Sequence, residues 1–491
     1  MQATASQHES GPSKHSQPRR STSHYRPSRD SRKPFDSLPV EVVSIVFKHY
    51  VHSVSQKSQR PYRSPLGLGK VCRRWRQIAW ATPDLWTKLR IRRQDPVSML
   101  YAELADEWLS RSRTLSLWIG FEFHCVRQDK YNRSVGQRML EIFGRYSDRW
   151  YSLSLTVPDF ILVNFRPTPS PSPVLHTISL KGNPNHGVGS PYHVSIPTFA
   201  EFSPKIVNVS FLQLDLDWTF VTVLEICRVD IAEVSRILPL ATNLSKCTLR
   251  KVGSLNRALN PTITKISCPS LESLDIDFSD LESQSLFCCT GSLPALKRLT
   301  FKGCREQSTD MLIALLTQSS CTLKCLVFFE PWQDTFALSH LAPLLSSLTE
   351  LNVFSDHSSY SAIDIYSSYH ILANQSSISP IGLTATWPKF LLPSLEIFKW
   401  FGKGHSYPWE TLPGLIMPVS LDGEIYRRPL KLVQISFDDA AAVNVPHISK
   451  GTIQQLSEFT DVTFEFTVNY YLSEQKMDWW KVSLEESQKL R

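Results

Sequence analysis

Few side chains in this sequence are spaced to make or break bonds. The cysteines come closest to a pattern: Cys321 and Cys325 flank Thr-Leu-Lys, and Cys288 and Cys289 are adjacent. A closed zinc site takes four ligands. The first pair has no second pair to complete it, and adjacent cysteines chelate one ion poorly. Gly67-Leu-Gly69-Lys70 has the outline of a phosphate loop. Ser64, however, stands where the first glycine belongs, and Val71 replaces the hydroxyl residue that would hold magnesium. His176, His186 and His193 lie in a proline-rich stretch beside no patterned nucleophile, and no G-x-S-x-G elbow or strand-linked G-x-G-x-x-G occurs. The expectation is a non-enzyme with no metal and no cofactor.

The side chains that could act are those of recognition. Between the inward positions of successive short strands fall Lys246, Thr248 and Arg250, then Ser273, Asp275 and Asp277, then Arg298, Thr300 and Lys302. Cys325, Val327 and Phe329 follow, and then Glu350, Asn352 and Phe354. Basic, acidic and basic strands therefore lie side by side, with aromatic residues at Phe329 and Phe354. Two readings stand. One is a cross-strand charge ladder, each pair worth roughly 0.2–1 kcal/mol. The other is a concave protein-binding face for a substrate, because aromatic residues on an exposed sheet favour partner contact.

The elements that position these residues come from a returning motif, L-x-x-L-x-(L/I/V/F). It is found at Ser112–Leu117 (imperfectly), Trp150–Leu155, Leu175–Leu180, Ile206–Phe211, Val221–Ile226, Leu244–Leu249, Leu271–Ile276, Leu296–Phe301, Leu323–Phe328, Leu348–Val353, Leu395–Trp400 and Leu432–Phe437. From Val221 the starts are 23, 27, 25, 27 and 25 residues apart, and gaps of 47 and 37 follow. Such spacing is the signature of leucine-rich repeats, each copy supplying one short strand. Helices are expected between strands: Asp230 to Glu233 has capping-box form, Asp310 precedes an apolar run, and Leu338, Leu341, Leu344 and Leu345 form a stripe. The fold class expected is α/β, with an irregular repeat-built solenoid over 111–470. The ladder asparagine or cysteine of the repeat is matched by Asn183 and Cys304. Proline-rich 158–204 reads as a long loop and serine-rich 355–390 as an insertion. Val462, Phe464, Phe466 and Val468 alternate as a last strand.

Residues 35–90 have a different texture. Leu38, Val42, Ile45 and Val46 make one helical stripe, with Pro39 placed in the first turn. A polar interval from His52 to Pro65 follows. Leu68, Val71, Cys72, Trp75, Ile78 and Ala79 make a second stripe, and Thr82-Pro83 opens a short third turn bearing Leu85 and Trp86. The unit is marginal alone at this size. With Trp75, Trp80 and Trp86 it carries more apolar surface than so few helices hide, as an interface needs. Packing of the stripes on the rest of the chain is the competing reading.

The run Leu38-Pro39-Val40-Glu41-Val42-Val43-Ser44-Ile45-Val46-Phe47, the run Val71-Cys72-Arg73-Arg74-Trp75-Arg76-Gln77-Ile78-Ala79, and then Leu85-Trp86 closely resemble the F-box. The long interval between Phe47 and Leu66 is similar to that of F-box-like proteins abundant in mushroom-forming fungi. The resemblance implies docking onto a Skp-type adaptor, which holds a cullin and a RING subunit. The positions it implies for adaptor binding are Leu38, Pro39, Val42, Ile45, Phe47, Val71, Cys72, Trp75, Ile78 and Trp86. Some would face the adaptor and some pack inside.

Composition agrees with a soluble interaction protein. Charged residues are 20% and hydrophobic residues 42% of 491. The net charge is +8, of which the Ser/Arg/Pro-rich tail 1–34 carries +5, with seven basic and two acidic residues. That tail is expected to be disordered, and the rest is near neutral, unlike a dedicated nucleic-acid domain. No apolar leader opens the chain and no uninterrupted apolar run reaches membrane length. The F-box resemblance implies a substrate receptor of a cullin-type ubiquitin ligase, expected to be intracellular, cytoplasmic or nuclear, with a protein substrate bound by the solenoid. The alternatives are a repeat scaffold that engages no ligase, and a nucleic-acid binder acting through the basic tail.

Overall fold

The computed structural model describes residues 37–52, 64–93, 99–123, 130–168, 175–182, 194–196, 199–210, 212–254, 265–303, 308–329, 341, 343–355, 392–402, 409–421, 424–438, 445, 447–469 and 476–489. The basic tail, Asn183, His186, His193, Cys304, Leu338 and the serine-rich stretch from 356 onward lie outside these residues. The chain forms two compact units, one up to Thr82 and one from Pro83.

The first unit holds three helices, α1 (Val40–His52), α2 (Pro65–Gly69) and α3 (Arg73–Ala81). Pro39 stands one residue before α1, not within it, and its carbonyl accepts from Val43 N at 3.1 Å. Ser64 caps α2, accepting from Leu66 N, and Cys72 caps α3 through its sulfur. Thr82 closes α3, its hydroxyl donating back to the Ile78 carbonyl at 2.8 Å, and the short 3-10 turn Pro83–Trp86 starts at the next residue.

The second unit is mixed α/β. Its strands begin with β1 (Lys88–Arg93), β2 (Leu117–Phe123), β3 (Trp150–Val157), β4 (Thr177–Gly182), β5 (Val194–Ile196), β6 (Ile206–Ser210) and β7 (Leu212–Leu214). They continue with β8 (Val223–Asp230), β9 (Lys246–Gly253), β10 (Ile266–Ser267), β11 (Ser273–Phe278), β12 (Gly291–Ser292), β13 (Arg298–Lys302) and β14 (Cys325–Phe329). The last are β15 (Glu350–Ser355), β16 (Ile397–Gly402), β17 (Val419–Leu421), β18 (Glu424–Tyr426), β19 (Leu432–Asp438), β20 (Thr463–Asn469) and β21 (Lys476–Asp478). Fifteen of them form one sheet, in the order β1-β2-β3-β4-β6-β8-β9-β11-β13-β14-β15-β16-β19-β20-β21. Every pairing in it is parallel except β20 with β21. The pairs β5/β7, β10/β12 and β17/β18 stand apart. Connections include α4 (Met99–Arg111), α5 (Lys130–Arg145), α6 (Asp159–Leu162), α7 (Ile231–Ile237), α8 (Leu281–Thr290) and α9 (Ser308–Ser319).

Alternation makes the core. In β11 the sequence S-L-D-I-D-F buries Leu274, Ile276 and Phe278 and turns the other three residues outward. Register then aligns Leu249, Ile276, Phe301, Phe328, Val353, Trp400, Ile435 and Phe466 in one buried row across successive strands. Asp230 caps α7 as its sequence implies, accepting from Ala232 N at 2.8 Å, while Glu233 pairs with Arg236. Asp280 does more. One carboxylate oxygen caps α8 through Ser283 N and the other accepts from Ser254 N just past β9, both at 2.8 Å. Gly253 lets it approach, because a Cβ there would lie 2.8 Å from that second oxygen and 2.3 Å from the Ser279 hydroxyl.

Several expectations are corrected. Sheet structure begins at Lys88, earlier than 111, because Lys88-Leu-Arg-Ile-Arg-Arg itself alternates. Ser112–Leu117 is a turn containing Arg113 at φ 54°, and the strand starts where that stretch ends. The motif starts at Ile206 and Leu432 fall two residues late. Val207 pairs with Ile178 and Val433 with Phe398, so the first buried positions are Pro204 and Leu430. A proline and a Leu-x-Leu doublet hid them. The stretch 158–204 is not one loop, since it holds α6, β4 and β5.

Asp280→Ala is expected to lower stability by about 1–2 kcal/mol through the lost cap, and Leu299→Ala by about 2–5 kcal/mol through a core cavity. Urea unfolding of the two variants measures both.

Candidate protein-docking surfaces

The helical unit has a small interior. Val43 and Phe47 of α1 are buried with Leu68, Ile78 and Ala79, and the Phe47 ring meets Trp75 at 5.0 Å. Polar stitching completes it. The Arg74 guanidinium donates to the Leu38 carbonyl at 2.7 Å, Arg76 to the Gly69 carbonyl at 2.9 Å, and the Ser44 and Thr82 hydroxyls meet at 3.1 Å.

The same helix turns a second apolar stripe to solvent. Val40, Val42, Ile45 and Val46 are all exposed on α1, Ile45 by 54%. Leu66 and Val71 are exposed as well, Val71 by 59%, as is Trp80. Of the positions implied for adaptor binding, Pro39, Val42, Ile45, Val71 and Cys72 are exposed, and Leu38 and Trp75 are half-buried. Phe47, Ile78 and Trp86 are buried and leave no surface for a partner. Trp86 belongs to the second unit, edge-on to Trp108 at 4.9 Å and beneath the Arg111 guanidinium at 4.6 Å. Val40, Val46, Leu66 and Trp80 were not among the implied positions. Consecutive apolar residues at 42–43 and 45–47 contain both stripes, and periodicity alone does not say which one turns inward.

The sheet face is the second surface. Lys246, Ser273, Arg298, Cys325, Glu350 and Ile397 line up in one row across β9 to β16. A second row runs Thr248, Asp275, Thr300, Val327, Asn352 and Lys399. The third runs Asp277, Lys302, Phe329, Phe354 and Phe401. Arg250 sits beside its row at a register shift, next to Lys251 at φ 55°. Lys246, Arg250, Arg298 and Lys302 are exposed, while Asp275, Asp277, Phe329, Glu350 and Phe354 are half-buried.

Two clusters form on this face. Phe329, Phe354 and Phe401 stack in series at 4.7 and 4.5 Å, and the Lys302 ammonium stands 5.8 Å from the first ring. Beside them Glu350 lies 3.4 Å from Lys399 and 3.8 Å from Arg298, and accepts from the Asn352 amide at 3.0 Å. Burial works to raise the Glu350 carboxyl. The hydrogen bonds from Asn352 and Cys325 and the two cations outweigh it and hold the group below its ordinary value. Asp275 goes the other way. Burial raises it, and Arg250 draws it only partly back. Phe401 and Lys399 were missed because a 47-residue gap precedes their strand. Carrying the alternation across that gap would have placed both.

Burial keeps several thiols protonated, which disfavours them as nucleophiles. Burial pushes Cys268 and Cys325 up to about 11 and drives Cys247 and Cys288 upward too. Among the described residues no group of three or more His, Cys, Asp or Glu could hold a metal ion, and no helix is long and apolar enough to cross a membrane.

Compared with known families, residues 35–92 match the F-box-like family. The chain therefore carries an F-box-like domain, a non-catalytic adaptor module, and the matched stretch ends inside β1. No curated protein matches the chain.

A group held below its ordinary value stabilises the fold above that value, 4.5 for Glu350, and loses its contribution as pH falls through the depressed value. The stability gap between wild type and Glu350→Gln should be widest above pH 4.5 and narrow on acidification. Urea midpoints across that pH range measure it.

Proposed function

We propose that this chain is the substrate-receptor subunit of an SCF-type ubiquitin ligase. The F-box-like helices dock a Skp-type adaptor and through it a cullin–RING core, and the sheet face holds a protein substrate. The single observation that carries this reading is the second apolar stripe of α1, left exposed in a segment that matches the F-box-like family. Its contact residues on this reading are Val42, Ile45 and Val71, with Pro39 and Cys72 at the rim, and Val46, Leu66 and Trp80 extending the patch. Phe47, Trp75 and Ile78 shape the module from within.

The second unit is, on the same reading, a leucine-rich-repeat-like solenoid. Parallel strands repeated at near-constant spacing from Val221 to Leu348 support this, as does the continuous buried row beneath them. The proposed substrate contacts are Lys246, Arg250, Asp275, Asp277, Arg298, Lys302, Phe329, Glu350 and Phe354, joined by Lys399 and Phe401. The chain contributes no bond-making residue, and catalysis comes from proximity to the ubiquitin-loaded partner. The compartment is the cytoplasm or nucleus, where such ligases work.

Wild-type chain is expected to co-purify with the Skp-type adaptor. Ile45→Asp or Val71→Asp should each weaken that complex by about 2 kcal/mol, roughly thirtyfold. The thermal midpoint should not move, since both side chains already face water. Failure of the wild-type chain to bind the adaptor would remove the ligase reading, and retained binding in the double variant would remove the α1 patch as its contact. Reversal of charge at Arg298 and Lys302 should change which proteins co-purify while the adaptor stays bound.

A further inference from the structure

A second aromatic ladder lies at the other end of the sheet, on strands that the proposed substrate contacts do not use. The Lys88 ammonium stands 5.6 Å from the Trp118 ring. Trp118 meets Tyr151 at 5.0 Å, and Tyr151 stacks on His176 at 5.1 Å and 3°. The residues come from β1, β2, β3 and the lead-in to β4. Tyr151 reaches its place through a register shift between Leu117 and Trp118. Trp118 stays 36% exposed, and Tyr151 and His176 are half-buried.

The local charge is one-sided. Lys88, Arg90 and Arg92 alternate along β1, and Lys181 belongs to the outward set of β4. Among the described residues of this face one carboxylate, Glu122, stands opposite them, bonded by Arg90 at 3.2 Å and Arg92 at 2.8 Å. The outward positions of β3 and β4 continue these rows with serine and threonine, all half-buried. This excess sits in a body that is otherwise near neutral.

We infer that the outward face of β1 to β4 is a second contact surface whose partner is a carboxylate-rich polypeptide segment. Three observations converge on that chemistry. The β1 cations outnumber their carboxylate. The hydroxyls of β3 and β4 donate to oxygen. Tyr151 and His176 each have one face taken by the other, and Lys88 stands over Trp118, while a ring edge, the positive end of the aromatic quadrupole, favours oxygen. A nucleobase would instead need an open ring face to stack on, and these faces are already occupied. Its residues are distinct from those of the proposed adaptor patch and of the β13 to β16 clusters.

The test uses full-length chain and a fluorescently labelled glutamate-rich peptide, read by anisotropy. Wild type is expected to bind, and more weakly as salt rises. The Lys88→Glu/Arg92→Glu variant should lose about tenfold or more in affinity, which is about 1.4 kcal/mol. The Arg298→Glu/Lys302→Glu variant should bind as wild type, which separates this surface from the proposed substrate face. Trp118→Ala should weaken binding at a temperature where circular dichroism shows the variant still folded. The inference falls if the peptide does not bind, or if the Lys88/Arg92 reversal leaves binding intact, as it would were the N-terminal tail alone responsible. It also falls if a single-stranded oligonucleotide of equal charge binds more tightly at the same salt.

Discussion

Backbone hydrogen bonds between parallel strands hold each residue opposite a fixed neighbour, and the rest of the second unit follows from that constraint. Side chains alternate along a strand with a period of two. Register therefore turns alternation within strands into rows across them. One set of rows is apolar and buried, from Leu249 to Phe466. The other set faces outward, where chemically unrelated parts of the chain become neighbours. Arg298, Glu350 and Lys399 form one charge cluster although 101 residues of sequence separate the first from the last.

The ladder of Phe329, Phe354 and Phe401 arises this way. A parallel sheet places the same position of each repeat at about 4.8 Å from its counterpart, close to the ring separations of 4.5 and 4.7 Å along Phe329, Phe354 and Phe401. Stacking is thus imposed by strand spacing once rings occupy one row. A cation ends each ladder, Lys302 in one and Lys88 in the other. Such contacts contribute modestly to stability at half-exposed sites, so the rows matter more as surface chemistry than as structural support.

The helical unit obeys a different geometry. A helix buries about one stripe against its neighbours, yet α1 carries two. Phe47 and Val43 fill the interior against Trp75, and Val42, Ile45 and Val46 are left outside. Exposed apolar residues concentrated on one short helix are the mark of an interface rather than of a poor core. The F-box-like match over 35–92 agrees with that reading of the patch.

By itself the sequence determined the class of each part. Local signals carried that information: alternation for strands, the capping aspartate at 230 for a helix, and the block from Leu38 to Ala79 for the adaptor module. Strand positions were legible wherever a leucine opened the motif, and slipped where Pro204 or the Leu430/Leu432 pair stood in its place. Only the tertiary structure decided which of two overlapping stripes on α1 turns inward, because that choice depends on Trp75 and Ile78 from another helix. It also decided that Trp86 is buried beside Trp108 and Arg111, and that Phe401 and Tyr151 complete their ladders. Those outcomes rest on register across gaps and on a strand bulge, and neither is encoded by residues adjacent in the chain.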